Sequence, residues 1–85
     1  MKDPKGNSFL HVSVLENVPS LVYYFILKGL DPNLQNFDGD TALHLAIKTE
    51  NKNIILLLLD NGAEVDILNH KKETPVDAAS VFTLY

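Results

Sequence analysis

The chain has 85 residues, no cysteine and a formal net charge of −4 at pH 7. This length allows one small domain, the acidic balance argues against binding to nucleic-acid phosphates, and the lack of cysteine excludes disulfides and thiolate chemistry. The longest apolar runs, residues 21–27 and 54–59, are far shorter than the roughly 20 residues that cross a bilayer. The first residues show no apolar stretch of signal-peptide type, so we expect a cytoplasmic or nuclear protein without membrane or nucleic-acid partners.

The first third of the chain predicts two helices. Ser8 is the expected N-cap of a helix that runs through Leu15, and Pro19 suits the first turn of the next helix. Gly29 is expected to end that second helix in the left-handed conformation. Apolar residues at the i, i+1, i+4, i+5 spacing predict its buried face: Leu21, Val22, Phe25 and Ile26.

The middle third repeats these signals. After a turn at residues 38–39, Thr41 is the expected N-cap of a helix that packs through one apolar side. A second helix is predicted over Ile54 to Asp60, residues 50–53 form a polar link before it, and Gly62 ends it. The expected packing side of the first helix consists of Leu43, Leu45, Ala46 and Ile47.

The last third keeps only part of the pattern. Lys72 stands where the earlier turns have glycine, and Asp77 stands where the earlier helices have histidine. Thr74 and Pro75 still predict a helix from Pro75 to about Phe82. We expect Asp77 either to cap the start of its own helix or to face a continuation of the chain.

These signals recur at an offset of 33 residues, so that Gly6, Ser8, His11 and Gly29 match Gly39, Thr41, His44 and Gly62. A fixed period of this size is typical of stacked repeats, in which each unit buries its neighbour's apolar face. We expect a single domain over residues 1–85. It consists of unit one (about 3–35), unit two (about 36–68) and an incomplete unit three (about 69–85).

The ordered set of motifs in unit two resembles the ankyrin repeat. The residues that carry the resemblance are Gly39, the run 41–46, Ile54 and Ile55, the run 57–59, and Gly62 with Ala63. The resemblance implies an all-α solenoid of stacked helix-turn-helix units, with β-turn or hairpin fingers that project from one side.

The resemblance also implies a concave recognition face, made of the fingers and the exposed side of each first helix. Unit two carries most of the negative charge, so we expect a partner protein with a basic surface near the second finger. Phe37 is expected either to pack back on the adjacent finger or to contact that partner. By position, the face comprises Pro4, Lys5, Asn7, Leu15, Glu16, Phe37, Asp38, Asp40, Lys48, Thr49, His70, Lys71, Glu73, Val81 and Phe82.

A second surface is expected on the opposite side of the stack. Tyr23, Leu27 and Leu56 take positions that ankyrin repeats usually leave polar. Together they would form an apolar patch for self-association or for docking of a neighbouring domain. The alternative is that a slight rotation of the helices buries these side chains.

No set of residues predicts catalysis, a cofactor or a metal site. His11 and His44 lie one repeat apart and can be imagined as a metal pair, but a zinc site needs three or four ligands and only His70 remains as a further histidine. In ankyrin repeats the matching histidine forms hydrogen bonds within and between units, and this structural role is the favoured interpretation.

The sequence therefore predicts a non-catalytic protein–protein interaction module. The stretches 6–11 and 38–47 look like the early repeats of I-kappa-B proteins, which adds the hypothesis of inhibitory binding to an NF-kappa-B-type factor. The alternative is a structural or assembly role, as a fragment of a longer array that self-associates through the apolar patch.

Overall fold

Five helices account for the secondary structure of residues 3–78, which are the residues that the computed structural model describes. They are α1 (Phe9–Leu15), α2 (Pro19–Leu27), α3 (Ala42–Lys48), α4 (Lys52–Asp60) and α5 (Pro75–Ala78). This part of the chain contains no strand. The predicted all-α class is confirmed.

The first helix of each complete unit begins at a capping box in which histidine takes the place of the usual glutamate. The Ser8 hydroxyl accepts from the His11 amide at 3.4 Å, and His11 Nδ1 accepts from the Ser8 amide at 3.0 Å. Thr41 and His44 repeat both bonds at 3.3 and 3.0 Å. The predicted N-caps are confirmed, and each satisfies amide groups that the first helical turn leaves without a partner.

The second helices start at different signals but end at the same one. α2 begins with Pro19 in its first turn, as predicted. α4 begins at Lys52, two residues before the predicted Ile54, because the Asn51 side chain accepts from the Ile54 amide and caps the helix within the expected link. Both helices end before a glycine with positive φ, 94° at Gly29 and 96° at Gly62.

The helices form two layers around one apolar core. α1 packs against α2 and α3, α3 packs against α4 and α5, and α2 packs against α4. Leu10, Val22, Leu43, Ile54 and Leu58 are the large aliphatic residues between the layers. Burial of this surface is the main stabilising contribution.

Leu21 is an exception to the predicted core. Val22 is buried and Phe25 and Ile26 are partly buried, but 43% of Leu21 is exposed. Its counterpart Ile54 is fully buried in unit two. The physical reason is position in the stack, since no unit within residues 3–78 precedes unit one.

Unit three forms a turn and one short described helix. Lys72 adopts a φ of 63°, so it takes the left-handed conformation that Gly6 and Gly39 supply in the other turns. Asp77 caps its own helix, because its carboxylate accepts from the Thr74 amide at 3.4 Å and its amide donates to the Thr74 hydroxyl at 3.2 Å. The predicted helix end near Phe82 lies outside the described residues.

Candidate protein-binding surface

Three tight turns project from the same side of the helices. We call them the first finger (residues 3–8), the second finger (36–41) and the third finger (69–74). Each closes with a backbone hydrogen bond of 2.9–3.0 Å between its fourth and first residue, as from Gly39 N to Asn36 O. The side chain of the first residue braces each turn. Asn36 Oδ1, for example, accepts from the amides of Asp38 at 3.0 Å and Asp40 at 2.9 Å.

Neighbouring fingers are joined by a repeated set of hydrogen bonds. Asn36 Nδ2 donates to Asn7 Oδ1 at 2.8 Å, and one repeat later Asn69 Nδ2 donates to Asp40 Oδ1 at 3.0 Å. Backbone bonds of 3.0 Å add to these, as from the Phe37 amide to the Lys5 carbonyl. Hydrogen bonds therefore join each finger to the next one.

This network corrects the predicted role of two side chains. Asn7 and Asp40 were expected on the exposed recognition face, but only 4% and 3% of their surfaces are exposed. Each points towards the next finger, where it receives the asparagine side chain described above. Sequence position gave the correct turn but not the direction in which these side chains point.

The two buried histidines connect the helices to the next finger. His11 Nε2 lies 2.8 Å from the Asp40 carbonyl, and His44 Nε2 lies 2.9 Å from the Glu73 carbonyl. Because a carbonyl only accepts and the amides of Ser8 and Thr41 only donate, each ring carries its proton on Nε2. These contacts support the structural interpretation of the histidines. No metal-binding cluster is present among residues 3–78.

Asp40 and Lys48 form an ion pair beneath the second finger. Lys48 Nζ lies 2.9 Å from Asp40 Oδ2, and the Lys48 side chain is 39% exposed. Burial of Asp40 opposes ionisation, but the hydrogen bonds from Asn69 and Lys48 and the positive charge of Lys48 outweigh burial and hold the pKa of this carboxyl below its ordinary value. The Asp40 charge is thus already compensated within the molecule.

An aromatic ring covers the glycine of the preceding finger at both finger junctions. A Cβ added to Gly6 would lie 2.5 Å from Phe37 Cδ1, and one added to Gly39 would lie 2.7 Å from His70 Cδ2. Phe37 therefore packs back on the adjacent finger, which is one of the two arrangements predicted for it. Phe37 is nevertheless 66% exposed, so most of its surface faces solvent.

A cavity of about 230 Å³ opens between the second and third fingers. It brings together five of the residues predicted for the recognition face with Asn69, which the sequence argument missed. The 33-residue offset from Asn36 was the signal that could have identified it. The lining residues are Asp38, Asp40, Lys48, Asn69, His70 and Lys71.

The other predicted face residues are mostly at the surface. Pro4, Lys5, Leu15, Glu16 and Thr49 are exposed, and Glu73 is partly buried because it accepts from Asn69 at 3.0 Å. Val81 and Phe82 lie outside the described residues.

The apolar patch on the opposite side is exposed. Tyr23, Leu27 and Leu56 have 46%, 64% and 60% of their surfaces open to solvent. The alternative in which the helices rotate and bury these side chains is therefore wrong. We call these three residues the back patch.

Stacked helix pairs, projecting turns and buried inter-unit histidines define a helical repeat protein whose surface is suited to recognition. The family model for ankyrin repeats, in three copies, matches residues 3–83. The chain belongs to the ankyrin repeat family, as its sequence motifs predicted.

Relatives come from viruses, bacteria and animals. A Rickettsia felis ankyrin repeat protein is 37% identical over 82 residues, covering 84% of this chain and 35% of that protein. The fowlpox virus ankyrin repeat protein FPV219 is 33% identical over 75 residues, covering 88% of this chain and 17% of the relative. The nuclear factor NF-kappa-B p105 subunit of Gallus gallus is 35% identical over 82 residues, covering 94% of this chain and 8% of the subunit.

The chain thus spans between about a sixth and a third of the first two relatives. Ankyrin repeats generally mediate protein–protein interaction. Within residues 3–78, no helix has the length and apolar character needed to cross a membrane.

Proposed function

We propose that this chain is a non-catalytic interaction module that binds a partner protein through its finger face. The finger face consists of the exposed or partly exposed residues Lys5, Leu15, Glu16, Phe37, Asp38, Lys48, Thr49, His70, Lys71 and Glu73. The observation that carries the proposal is the 66% exposure of Phe37 at the tip of a finger that hydrogen bonds hold in place.

A fixed finger favours binding for an energetic reason. Association normally loses free energy when loops and side chains become ordered. Here the Asn36 side chain already braces the turn and joins it to the first finger through Asn7. The free-energy cost of ordering the turn on binding is therefore small. An exposed aromatic ring on such a support has the properties of a binding hot spot.

The charge of the second finger sets the expected character of the partner. Asp40 is buried and paired with Lys48, whereas Asp38 is exposed. We therefore expect Asp38 to be the acidic group of the second finger that attracts the partner, and we expect a positively charged partner group beside it. Reversal of such a peripheral charge acts mainly on the association rate.

A more specific proposal concerns the identity of the partner and the effect of binding. The similarity to the NF-kappa-B p105 subunit extends over 94% of this chain, and it agrees with the likeness of residues 6–11 and 38–47 to I-kappa-B repeats. We propose that the finger face holds an NF-kappa-B-type factor in an inactive complex, in the cytoplasm or the nucleus.

The test uses a purified NF-kappa-B dimer as the probe and the immobilised full chain as the receptor. We expect saturable binding that Phe37→Ala weakens about tenfold or more, as loss of a hot spot does. Leu27→Ala is the matched control, since Leu27 is 64% exposed but lies in the back patch. Lack of binding to the dimer would refute the inhibitory proposal.

The broader proposal has its own test. Wild type, Phe37→Ala and Leu27→Ala are used in parallel to capture proteins from a cell lysate. The finger face is supported if one protein is lost with Phe37→Ala and kept with Leu27→Ala. The assignment is overturned if Leu27→Ala removes the same protein.

Exposure of the back patch favours a second candidate, an assembly role. Three exposed apolar residues on α2 and α4 form a surface that a second copy could cover. Light scattering over a concentration series should show association of the wild type and its loss in the double variant Tyr23→Lys with Leu56→Glu. A wild type that stays monomeric throughout eliminates self-association.

A further inference from the structure

Asn61 and Gly62 form the turn that follows α4, and this pair carries a reactivity that the binding function does not use. When glycine follows asparagine, the glycine nitrogen can approach the asparagine Cγ without hindrance from a Cβ, and the side-chain amide can be lost. Asn61 is the only asparagine in the sequence that glycine follows. The sequence therefore singles out this pair among all asparagines of the chain.

The Gly62 nitrogen is accessible in the structure. Gly62 is exposed, and a Cβ added to it would meet no atom within 4 Å. Its counterpart in unit one, Gly29, donates its amide to the Ile26 carbonyl at 3.0 Å, whereas the Gly62 amide has no such acceptor within residues 3–78. The attacking nitrogen is therefore neither crowded nor engaged.

The Asp38–Gly39 pair places a glycine after an acidic side chain in a different setting. The Gly39 amide donates to the Asn36 carbonyl at 2.9 Å. A Cβ added to Gly39 would lie 2.7 Å from the His70 amide nitrogen. The neighbouring finger thus encloses this nitrogen, so the fold protects the pair at 38–39 and leaves the pair at 61–62 accessible.

Two hydrogen bonds hold the turn at 61–62. Asn61 Nδ2 donates to the Leu57 carbonyl at 2.8 Å, and the Gly62 carbonyl accepts from Asn33 Nδ2 at 3.0 Å. The ψ of Asn61 is 26°, so its Cα–C bond must rotate before the Gly62 nitrogen reaches the Cγ. This rotation breaks two bonds near the surface and leaves the apolar core intact.

We propose that Asn61 deamidates spontaneously in the folded chain and that the product weakens the contact between unit one and unit two. The Gly62 nitrogen gives its proton to hydroxide and bonds to the Asn61 Cγ. The Cγ–Nδ2 bond breaks, and the amide takes a proton from water and leaves as ammonia. Water then opens the cyclic imide. Cleavage between the nitrogen and Cγ gives aspartate, and cleavage between the nitrogen and the backbone carbonyl carbon of residue 61 gives isoaspartate.

Both products lose contacts that the asparagine makes. A carboxylate at position 61 cannot donate to the Leu57 carbonyl, and its negative charge lies at the C-terminal end of α4, where the helix dipole disfavours it. Isoaspartate also routes the main chain through the former side chain and so displaces Gly62 from Asn33. Since Asn33 Oδ1 accepts from the Glu64 amide at 2.8 Å, the bridge from unit one to unit two is disturbed.

The test incubates the full chain in mildly alkaline buffer and follows the conversion of every asparagine by digestion at acidic pH and mass spectrometry. We expect conversion at Asn61 before any other asparagine. Its rate should lie within about 100-fold of the rate in an unstructured peptide of residues 57–66, because each of the two bonds near the surface slows the reaction by about tenfold at most.

Two variants make the result specific. Gly62→Ala strains the turn, since Gly62 has positive φ, and should let it open more often. The added Cβ should nevertheless slow conversion about tenfold or more, because it hinders the nitrogen. Asn61→Gln is the matched control, which keeps the amide one bond further away and should show no conversion at this position.

The effect on the fold is measured on the isoaspartate form, separated by ion exchange. Its midpoint of urea denaturation should lie below that of the unreacted chain. An unchanged midpoint would refute the weakened contact between the units.

Three results would overturn deamidation at this site. They are equally fast conversion of another asparagine, equally fast conversion of Gly62→Ala, and slowing by the fold of more than about 100-fold relative to the peptide. No residue of the finger face takes part in the reaction, so the outcome leaves the proposed function untouched.

Discussion

Fingers and helices join the same repeat units through opposite kinds of contact. Between the helices the buried residues are aliphatic, with Leu10, Val22, Ile54 and Leu58 at the centre. Between the fingers they are polar, and each donor meets a specific acceptor, as Asn69 meets Asp40. Apolar burial is non-directional and supplies most of the stability, whereas a satisfied polar network specifies one arrangement. We call the contacts between helices the helix layer and the contacts between fingers the finger layer. Substitutions in the helix layer and in the finger layer should therefore reduce stability by different mechanisms.

The largest effect is expected in the helix layer. Leu58 is fully buried, so Leu58→Ala should lower the free energy of unfolding by about 2–5 kcal/mol through lost burial and a cavity. A small domain has little more than this to lose, so the variant should be largely unfolded by circular dichroism. Leu56→Ala, at an exposed position of the same helix, should change stability by less than about 0.5 kcal/mol. Similar melting of the two variants would show that the side of α4 assigned to the core is wrong.

In the finger layer, His44→Ala should give the largest loss. It removes the acceptor of the Thr41 amide and the donor to the Glu73 carbonyl. Each buried polar group left without a partner costs roughly 1–3 kcal/mol. Urea denaturation measures the loss, and the exposed His70, substituted in the same way, provides the control. An equal loss at His70 would contradict the difference between bonded and surface histidines.

A smaller loss is expected from Gly39→Ala. The added Cβ would lie 2.7 Å from the His70 amide nitrogen, so the backbone of the third finger must shift. At Gly62, which also has positive φ, no atom lies within 4 Å of an added Cβ. Gly62→Ala should therefore cost only the backbone strain, roughly 1–2 kcal/mol, and Gly39→Ala should cost more in the same denaturation assay. Equal costs would mean that the contact between the fingers adds nothing.

The smallest effect depends on pH and tests the ion pair. Asp40→Asn should be tolerated structurally, since Asn7 holds the matching place between the first and second fingers. The pKa of Asp40 is lowered from 3.8 in the folded state, so its carboxylate contributes stability that is complete above pH 3.8 and is lost as pH falls through the lower folded value.

Denaturation at a series of pH values checks this sign. The difference in stability between wild type and Asp40→Asn should be constant above pH 3.8 and should shrink below it. In a Lys48→Met background this pH-dependent part should become smaller, because one stabilising partner of the carboxylate is gone. A difference that grows on acidification would reverse the proposed direction.

The elements of the fold that come from local signals were predictable. Ser8, Thr41 and Pro19 fix helix starts through the chemistry of single residues, and Gly29 and Gly62 fix helix ends. These rules need no knowledge of the neighbouring unit. The repeat period then predicted that successive units stack on one another, because units of similar sequence present similar surfaces to their neighbours.

Features that depend on a neighbour were not predictable in the same way. Leu21 matches Ile54 in apolar character, yet only Ile54 has a unit on the relevant side. Asp40 was expected on the exposed recognition face from its position in the repeat, whereas Asn69 and Lys48 bind its carboxylate in the interior. The Asn51 cap of α4 is an exception, since it is a local bond to the Ile54 amide that the sequence analysis missed by placing Asn51 in the link.

The histidine bonds also give the stack a direction. His11 of unit one donates to Asp40 of unit two, and His44 of unit two donates to Glu73 of unit three. Unit two is thus the only complete unit that both receives and gives such a bond within residues 3–78. Without its neighbours, unit two would expose the Asp40 carbonyl without its donor on one side and His44 Nε2 without its acceptor on the other. Loss of either end unit therefore weakens the centre, so we expect the three units to melt together in one cooperative transition instead of one by one.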